Sequence, residues 1–378
     1  MQRKFITNLA LLLFLNLLVK PFWILGIDRT VQNVTGAEEY GFYFAILNFS
    51  FLFNILLDLG ITNFNNRNIA RHHQLLTKHF SGIVSLRLAL AVVYFAVTIT
   101  AGLLIGYNTR QMTFLAILGG NQFIASFILY LRSNISGLLM FRADSILSVL
   151  DRLLMILICG ILLWTNVAGT DFRIEWFILA QTAAYSLTAL AALLIVLRRS
   201  SVRRITLKKA FSLMILKQSF PFAVLILLMT FYNRIDSVLL ERLLPGSEGN
   251  YQAGIYASAW RLLDAMNQIA FLFAGLLLPI FSHMIRKGDA VAPMVRMAFN
   301  MLFTLSLSVA MFSAFYSFEL MDLFYRDHEE DSAAVFFILM WCFVLVATTY
   351  VFGTLLTANG NLFYLNISYI YIFNNTAT

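Results

Sequence analysis

Apolar segments of membrane length recur from one end of this chain to the other. A transmembrane α-helix needs about 20 consecutive, mostly apolar residues. Segments that meet this need lie near 5–27, 40–61, 81–106, 112–131, 146–168, 174–197, 219–243, 253–280, 295–319 and 334–357. Only 12% of the residues are charged, against about 25% in soluble proteins. The sequence therefore predicts an all-α, polytopic integral membrane protein with ten spans.

The basic residues are divided unequally between the two ends of these spans. Of 27 lysines and arginines, 18 fall in segments on the side of the N-terminus. The opposite loops hold only Arg29, Arg110, Arg173 and Arg326. Because positively charged loops stay in the cytoplasm, we expect a cytoplasmic N-terminus. Acidic residues, Asp28 among them, collect on the far side. The net charge of +8 thus belongs to cytoplasmic loops and does not predict nucleic-acid binding.

A basic segment at 198–218 divides the chain into two parts. Its basic first half and apolar second half fit either a segment on the inner leaflet or an ordinary cytoplasmic loop. An acidic, Gly-containing turn before Gly-x-Tyr occurs at 36–45 and again at 246–257, and repeated bundles are typical of transporters. We predict an N-terminal lobe at 1–197, a linker at 198–218 and a C-terminal lobe of four helices at 219–357. The remainder, 358–378, is expected to be part of an eleventh helix in a shortened chain.

The sequence lacks the local motifs of common catalytic sites. It contains no His-x-x-x-His pair, no Gly-x-Ser-x-Gly and no Gly-x-x-x-x-Gly-Lys. Cys159 and Cys342 both lie in apolar runs and are expected to be small buried residues without a disulfide. We therefore predict that the protein is not an enzyme and needs neither a cofactor nor a metal.

Charged residues inside the predicted spans are the strongest functional signal. Each costs roughly 2.5–3.5 kcal/mol at the centre of a bilayer, so such residues normally face a protein interior or a cavity. One interpretation is a cavity that holds an anion, since arginine binds phosphate through a planar pair of donors. The candidate cavity residues are Lys20, Arg234, Arg261, Tyr256 and Trp260.

The alternative is ion pairing between or along helices, for example between Arg261 and Asp264, which are three residues apart. We assign Asp58, Asp236 and Asp264 to gating or structural ion pairs. Arg87, near an inner helix end, is expected at the membrane interface.

Several short motifs resemble one family of membrane proteins. Gly36-Ala-Glu-Glu-Tyr-Gly-Phe-Tyr43, Asp58-Leu-Gly60 and Arg67-Asn-Ile-Ala70 are similar to the opening of bacterial polysaccharide repeat-unit flippases. The middle of that family resembles Tyr232-Asn-Arg-Ile-Asp236 and Gly254-Ile-Tyr-Ala-Ser-Ala-Trp-Arg261. These proteins are the O-antigen (Wzx-type) branch of the multidrug/oligosaccharidyl-lipid/polysaccharide exporter superfamily.

The resemblance implies two helical lobes around a central cavity in the bacterial cytoplasmic membrane. The implied substrate is a polyprenyl-diphosphate-linked oligosaccharide, flipped by alternating access. Polysaccharide polymerase and chain-length machinery are implied partners, besides the lipid bilayer. A cation-coupled multidrug exporter of the same superfamily is the first alternative, although the deep charges here are mostly cationic. A membrane polymerase or ligase is a second alternative, although the external loops are short.

Overall fold

The described part of the protein is helical throughout. The computed structural model describes residues 14–62, 65, 69, 74–138, 140–165, 172–199, 209–325 and 328–359. Every regular element within these ranges is a helix. The predicted all-α membrane fold is confirmed.

Twelve helices are labelled here in chain order. Helix α1 covers residues 14–35 and includes the π-helical stretch Trp23–Asp28. The others are α2 (Ala37–Leu52), α3 (Ile55–Asp58), α4 (Leu75–Ile105), α5 (Thr109–Gly137), α6 (Phe141–Trp164), α7 (Ile174–Leu197), α8 (Lys209–Leu243), α9 (Ser247–Lys287), α10 (Ala292–Phe315), α11 (Ser317–Phe324) and α12 (Glu329–Ala358).

Each predicted span overlaps one of these helices. Within the described residues, six helices are long and apolar enough to cross a membrane, namely α4, α5, α6, α7, α10 and α12. The second half of the predicted linker, from Lys209, is helical and continuous with the seventh predicted span. Most of its first half, and the predicted partial eleventh helix beyond residue 359, lie outside the described residues.

Helix ends follow local chemistry. Asn108 and Gln111 form a capping box at the start of α5, in which each side chain accepts a hydrogen bond from the other residue's backbone N–H. Helices α4 and α9 end at Gly106 and Gly288, both left-handed, a conformation that glycine adopts without steric cost. Pro21 lacks the N–H that an α-helix needs and lies two residues before the π-helical stretch of α1.

The described residues divide into two compact units. The first unit takes its described residues from Met1–Trp23 and Tyr43–Arg242. In it α7 packs against α5 and α6, and α4 packs against α3 and α5. One core cluster of this unit includes Leu86, Tyr130, Leu147 and Val196. The lobe boundaries proposed from the sequence stay a prediction.

The second unit takes its described residues from Ile24–Phe42 and Leu243–Thr378. Helix α12 packs along α9, α10 and α11 in this unit. Its core includes Leu262, Phe281, Phe336 and Met340. Exposed large apolar side chains on the same helices, such as Phe315 and Leu345, suit contact with lipid.

The two Gly-x-Tyr motifs contact each other inside the second unit. A Cβ added to Gly41 would overlap the backbone oxygen of Asn250, and one added to Gly254 would overlap that of Ala37. Gln32 also donates a hydrogen bond of 2.9 Å to the Gly254 carbonyl. Small residues let helices approach closely in membranes. The motifs found as a repeat are therefore the two faces of one helix crossing.

Candidate functional site

Asp28, Tyr40 and Arg261 form a buried polar cluster in the second unit. The Arg261 Nε lies 2.7 Å from Asp28 Oδ2, and the Asp28 side chain is only 1% exposed. Tyr40 donates a hydrogen bond of 2.8 Å to Asp28 Oδ1. Arg261 Nη2 in turn donates one of 2.9 Å to the Tyr40 oxygen. The buried Asp28 carboxylate thus has a cation and a hydroxyl donor beside it, as a buried charge requires.

The cluster differs from the sequence interpretation in two respects. The first predicted span ends at residue 27, whereas the first helix continues past this apolar run and buries the Asp28 carboxylate. Arg261 pairs with Asp28, whereas Asp264 has no ion-pair partner among the described residues. Arg261 therefore pairs with a residue of another helix and not with the residue three positions along its own helix.

Tyr325 closes one side of this polar region. Its hydroxyl donates a hydrogen bond of 3.2 Å to the backbone oxygen of Ser258. Burial raises the pKa of the Tyr325 phenol, and the negative charge of Asp28 raises it further. The hydroxyl consequently stays protonated and remains a donor.

The two aromatic candidates lie on the same helix as Arg261. Tyr256 and Trp260 stack with ring centroids 5.7 Å apart. Both are partly buried, and Trp260 packs against the core of the second unit. Their spacing of four residues on α9 brings the rings together, as the sequence pattern indicated.

The remaining cationic candidates belong to the first unit. Arg234 Nη1 donates a hydrogen bond of 3.0 Å to Asn48 Oδ1, and its guanidinium lies 4.7 Å from the centroid of the Phe51 ring. Both contacts hold the guanidinium against α2. Lys20 is partly buried on α1, and Asp236 is exposed on α8.

A second buried ion pair joins Asp58 and Arg87 in the first unit. Arg87 Nη1 lies 2.5 Å from Asp58 Oδ1, and the arginine side chain is 2% exposed. Its Nη2 donates to the backbone and side-chain oxygens of Ser126 at 2.8 and 2.6 Å. The guanidinium also stacks over Tyr130 at 5.1 Å. The expected interfacial position of Arg87 is therefore wrong.

The sequence identified the charged residues within the spans but not their ion-pair partners. Nothing in local spacing links Asp28 to Arg261 or Asp58 to Arg87, because each pair joins separate helices. One signal was available for Tyr40, which directly precedes the first Gly-x-Tyr motif. A complementary charge in another span was the available signal for Arg87.

The fold is that of transporters of the MOP superfamily. An inward-facing multidrug-resistance MATE transporter of that superfamily aligns with a TM-score of 0.68 at 15% identity, over 95% of this chain and 87% of its own. An outward-facing structure of such a transporter gives a TM-score of 0.63 at 16% identity, over 97% and 84%. A MOP-superfamily transporter from Pyrococcus furiosus, described as having a binding pocket of reversed polarity, gives 0.65 at 15% identity, over 97% and 84%.

A family model assigns the chain more narrowly. The model for polysaccharide biosynthesis proteins matches residues 7–285, well over half of the sequence. The chain therefore belongs to the polysaccharide biosynthesis protein family. A search of curated proteins gave no match.

Proposed function

We propose that the protein flips polyprenyl-diphosphate-linked oligosaccharide repeat units across the bacterial cytoplasmic membrane for surface polysaccharide such as O-antigen. The observation that carries this proposal is the match of residues 7–285 to the polysaccharide biosynthesis family. The transporter fold supports movement of a substrate and not its covalent modification. No ATP-binding motif occurs in the sequence, so an ion gradient or consumption of the product would drive transport.

The charged residues at membrane depth support an anionic substrate. In the first unit, Asn48 and Phe51 hold the Arg234 guanidinium in a fixed place. In the second unit, Asp28 and Tyr40 orient Arg261 through its Nε and Nη2. Arginine pre-oriented in this way suits a diphosphate, which accepts paired hydrogen bonds. Lys20 would add charge, while Tyr256 and Trp260 would offer ring faces to sugar.

The test is complementation of cells that lack their own flippase. The intact chain should restore surface polysaccharide, and Arg261→Ala and Arg234→Ala should abolish it while the protein still inserts. Arg110→Ala is the matched control, because the ion pair that Arg110 forms with Glu175 is exposed. Normal polysaccharide in both variants would refute the anion-binding role.

The alternative exporter function can be separated in the same cells. A multidrug exporter would raise resistance to cationic drugs and leave the polysaccharide defect uncorrected. Drug resistance must be measured because the structure resembles MATE transporters. At 15% identity this resemblance defines the fold and not the substrate.

A further inference from the structure

The second unit contains an apolar cavity whose walls do not include Asp28, Tyr40 or Arg261. Its volume is about 400 Å³, within the roughly 300–1,000 Å³ typical of ligand sites. Apart from Ser308 and Ser313, its walls are hydrocarbon, from Leu25, Leu262, Met266, Phe312, Phe336 and Met340 among others. Such apolar walls offer few hydrogen-bond partners to water or to a polar solute.

A cation lies beside this cavity. Arg29 follows Leu25 by four residues on α1, and its guanidinium stands 5.8 Å from the ring centroid of Phe324, another wall residue. The Arg29 Nε is buried and has no hydrogen-bond partner among the described residues. The adjacent Asp28 carboxylate is held by Arg261 and Tyr40. A buried donor without a partner is costly, and an anion would relieve it.

The surroundings indicate that the occupant comes from the bilayer. Phe312, a wall residue, is 55% exposed, and Phe315 and Leu323 on the neighbouring turns are 76% and 69% exposed. Such side chains suit contact with lipid. A site open to lipid is occupied according to both affinity and concentration, and phospholipid is the most abundant hydrocarbon there.

We propose that this cavity binds one acyl chain of an anionic phospholipid, with the phosphate on Arg29. The cavity supplies a hydrocarbon surface, and Arg29 supplies the charge complementary to the head group. The lipid is a bound component of the second unit and not the transported substrate. The proposal is independent of the function proposed above.

Native mass spectrometry of the purified full chain tests the site. The probes are phosphatidylglycerol, which is anionic, and phosphatidylcholine, which has no net charge. Ala265→Phe fills the cavity, whereas Ala334→Phe places the same side chain on an exposed position of α12. Arg29→Gln removes the charge, and Arg296→Gln removes an exposed arginine of the same unit.

The wild-type chain and both control variants should retain one phosphatidylglycerol more tightly than phosphatidylcholine. Arg29→Gln should weaken phosphatidylglycerol about fivefold, as expected for one arginine near a lipid phosphate, and weaken phosphatidylcholine less, because choline already neutralises its phosphate. Ala265→Phe should lose both lipids. If that variant fails to fold, Met340→Trp fills the same cavity.

Three results would overturn the proposal. One is equal phosphatidylglycerol binding by Arg29→Gln and Arg296→Gln. Another is equal lipid binding by Ala265→Phe and Ala334→Phe. The third is displacement of phosphatidylglycerol by an isoprenyl phosphate at equal concentration, which would assign the cavity to an isoprenoid carrier.

Discussion

Arg261 and Asp28 form an ion pair, with 2.7 Å between Nε and Oδ2, that joins α9 to α1 inside the second unit. Tyr40 bonds to both partners and completes the cluster. Two of these three residues lie in or beside the segments that carry the Gly-x-Tyr motifs. The close backbone approach at Gly41 and Gly254 and the charged cluster are therefore two parts of one helix junction.

Removing one partner of this pair should destabilise the protein strongly. Arg261→Ala leaves the Asp28 carboxylate buried without its cation, which costs about 3–5 kcal/mol. The double variant Asp28→Leu with Arg261→Met should recover most of that loss, because no isolated charge remains. Thermal unfolding in detergent, followed by circular dichroism of the α-helical signal, measures the stability of both variants.

The double variant also separates stability from transport. It should fold and insert yet fail to restore surface polysaccharide, since Arg261 is absent. A double variant that restores polysaccharide fully would assign the pair a structural role alone. Arg110→Ala, which breaks an exposed pair, should cost no more than about 1 kcal/mol.

Removing one partner of the buried Asp58–Arg87 pair should likewise destabilise the first unit. Arg87→Met removes the cation from Asp58 and from the two Ser126 acceptors, so we expect a loss of about 3–5 kcal/mol. Asp58→Asn keeps a hydrogen-bond acceptor for Arg87 but removes the charge, and should also be costly. The midpoint of thermal unfolding reports each loss. Equal midpoints for Arg87→Met and wild type would contradict the buried network.

Much of the fold could be predicted from the sequence, because hydrocarbon length constrains every span. Each of the ten apolar runs overlaps a helix in the described part of the chain. Helix ends were harder, since a helix can continue beyond its apolar run, as α1 does to include Asp28.

The site was only partly predictable for a different physical reason. Arg234 and Arg261 were visible as charges at membrane depth, but their partners depend on which helices pack together. Spacing within one helix favoured Asp264 for Arg261, and tertiary packing selected Asp28. The same holds for Arg87, whose burial depends on Asp58 and Ser126 from other helices.

Alanine at Gly254 should weaken the second unit. Its Cβ would overlap the backbone oxygen of Ala37, so the two helices must move apart at a cost of about 1–3 kcal/mol. Gly120 in α5 offers the control, because a Cβ there meets no atom within 4 Å. Gly120→Ala should be neutral or stabilising by up to about 1 kcal/mol, since alanine favours the helix. Equal stability of the two variants would contradict the tight crossing.

The two cysteines should differ in reactivity. The expectation that both are buried is wrong for Cys342, which is exposed on α12, whereas Cys159 is buried in α6. A membrane-permeant apolar maleimide should label Cys342 and spare Cys159 in the folded protein. Mass spectrometry of tryptic peptides, with Cys342→Ser as the control, measures the labelling. Rapid modification of Cys159 would show that the packing around α6 is looser than in the structure.

The uneven distribution of basic residues predicts that the N-terminus and the linker at 198–218 are cytoplasmic. In a background with Cys159 and Cys342 replaced by serine, a charged thiol reagent added outside intact cells should not label Lys208→Cys. The same reagent should label Glu248→Cys, which lies between the seventh and eighth predicted spans on the opposite side. Both positions should react after the membrane is made permeable, which controls for local accessibility. Labelling of Lys208→Cys in intact cells would reverse the assigned orientation, because the linker at 198–218 would then be external.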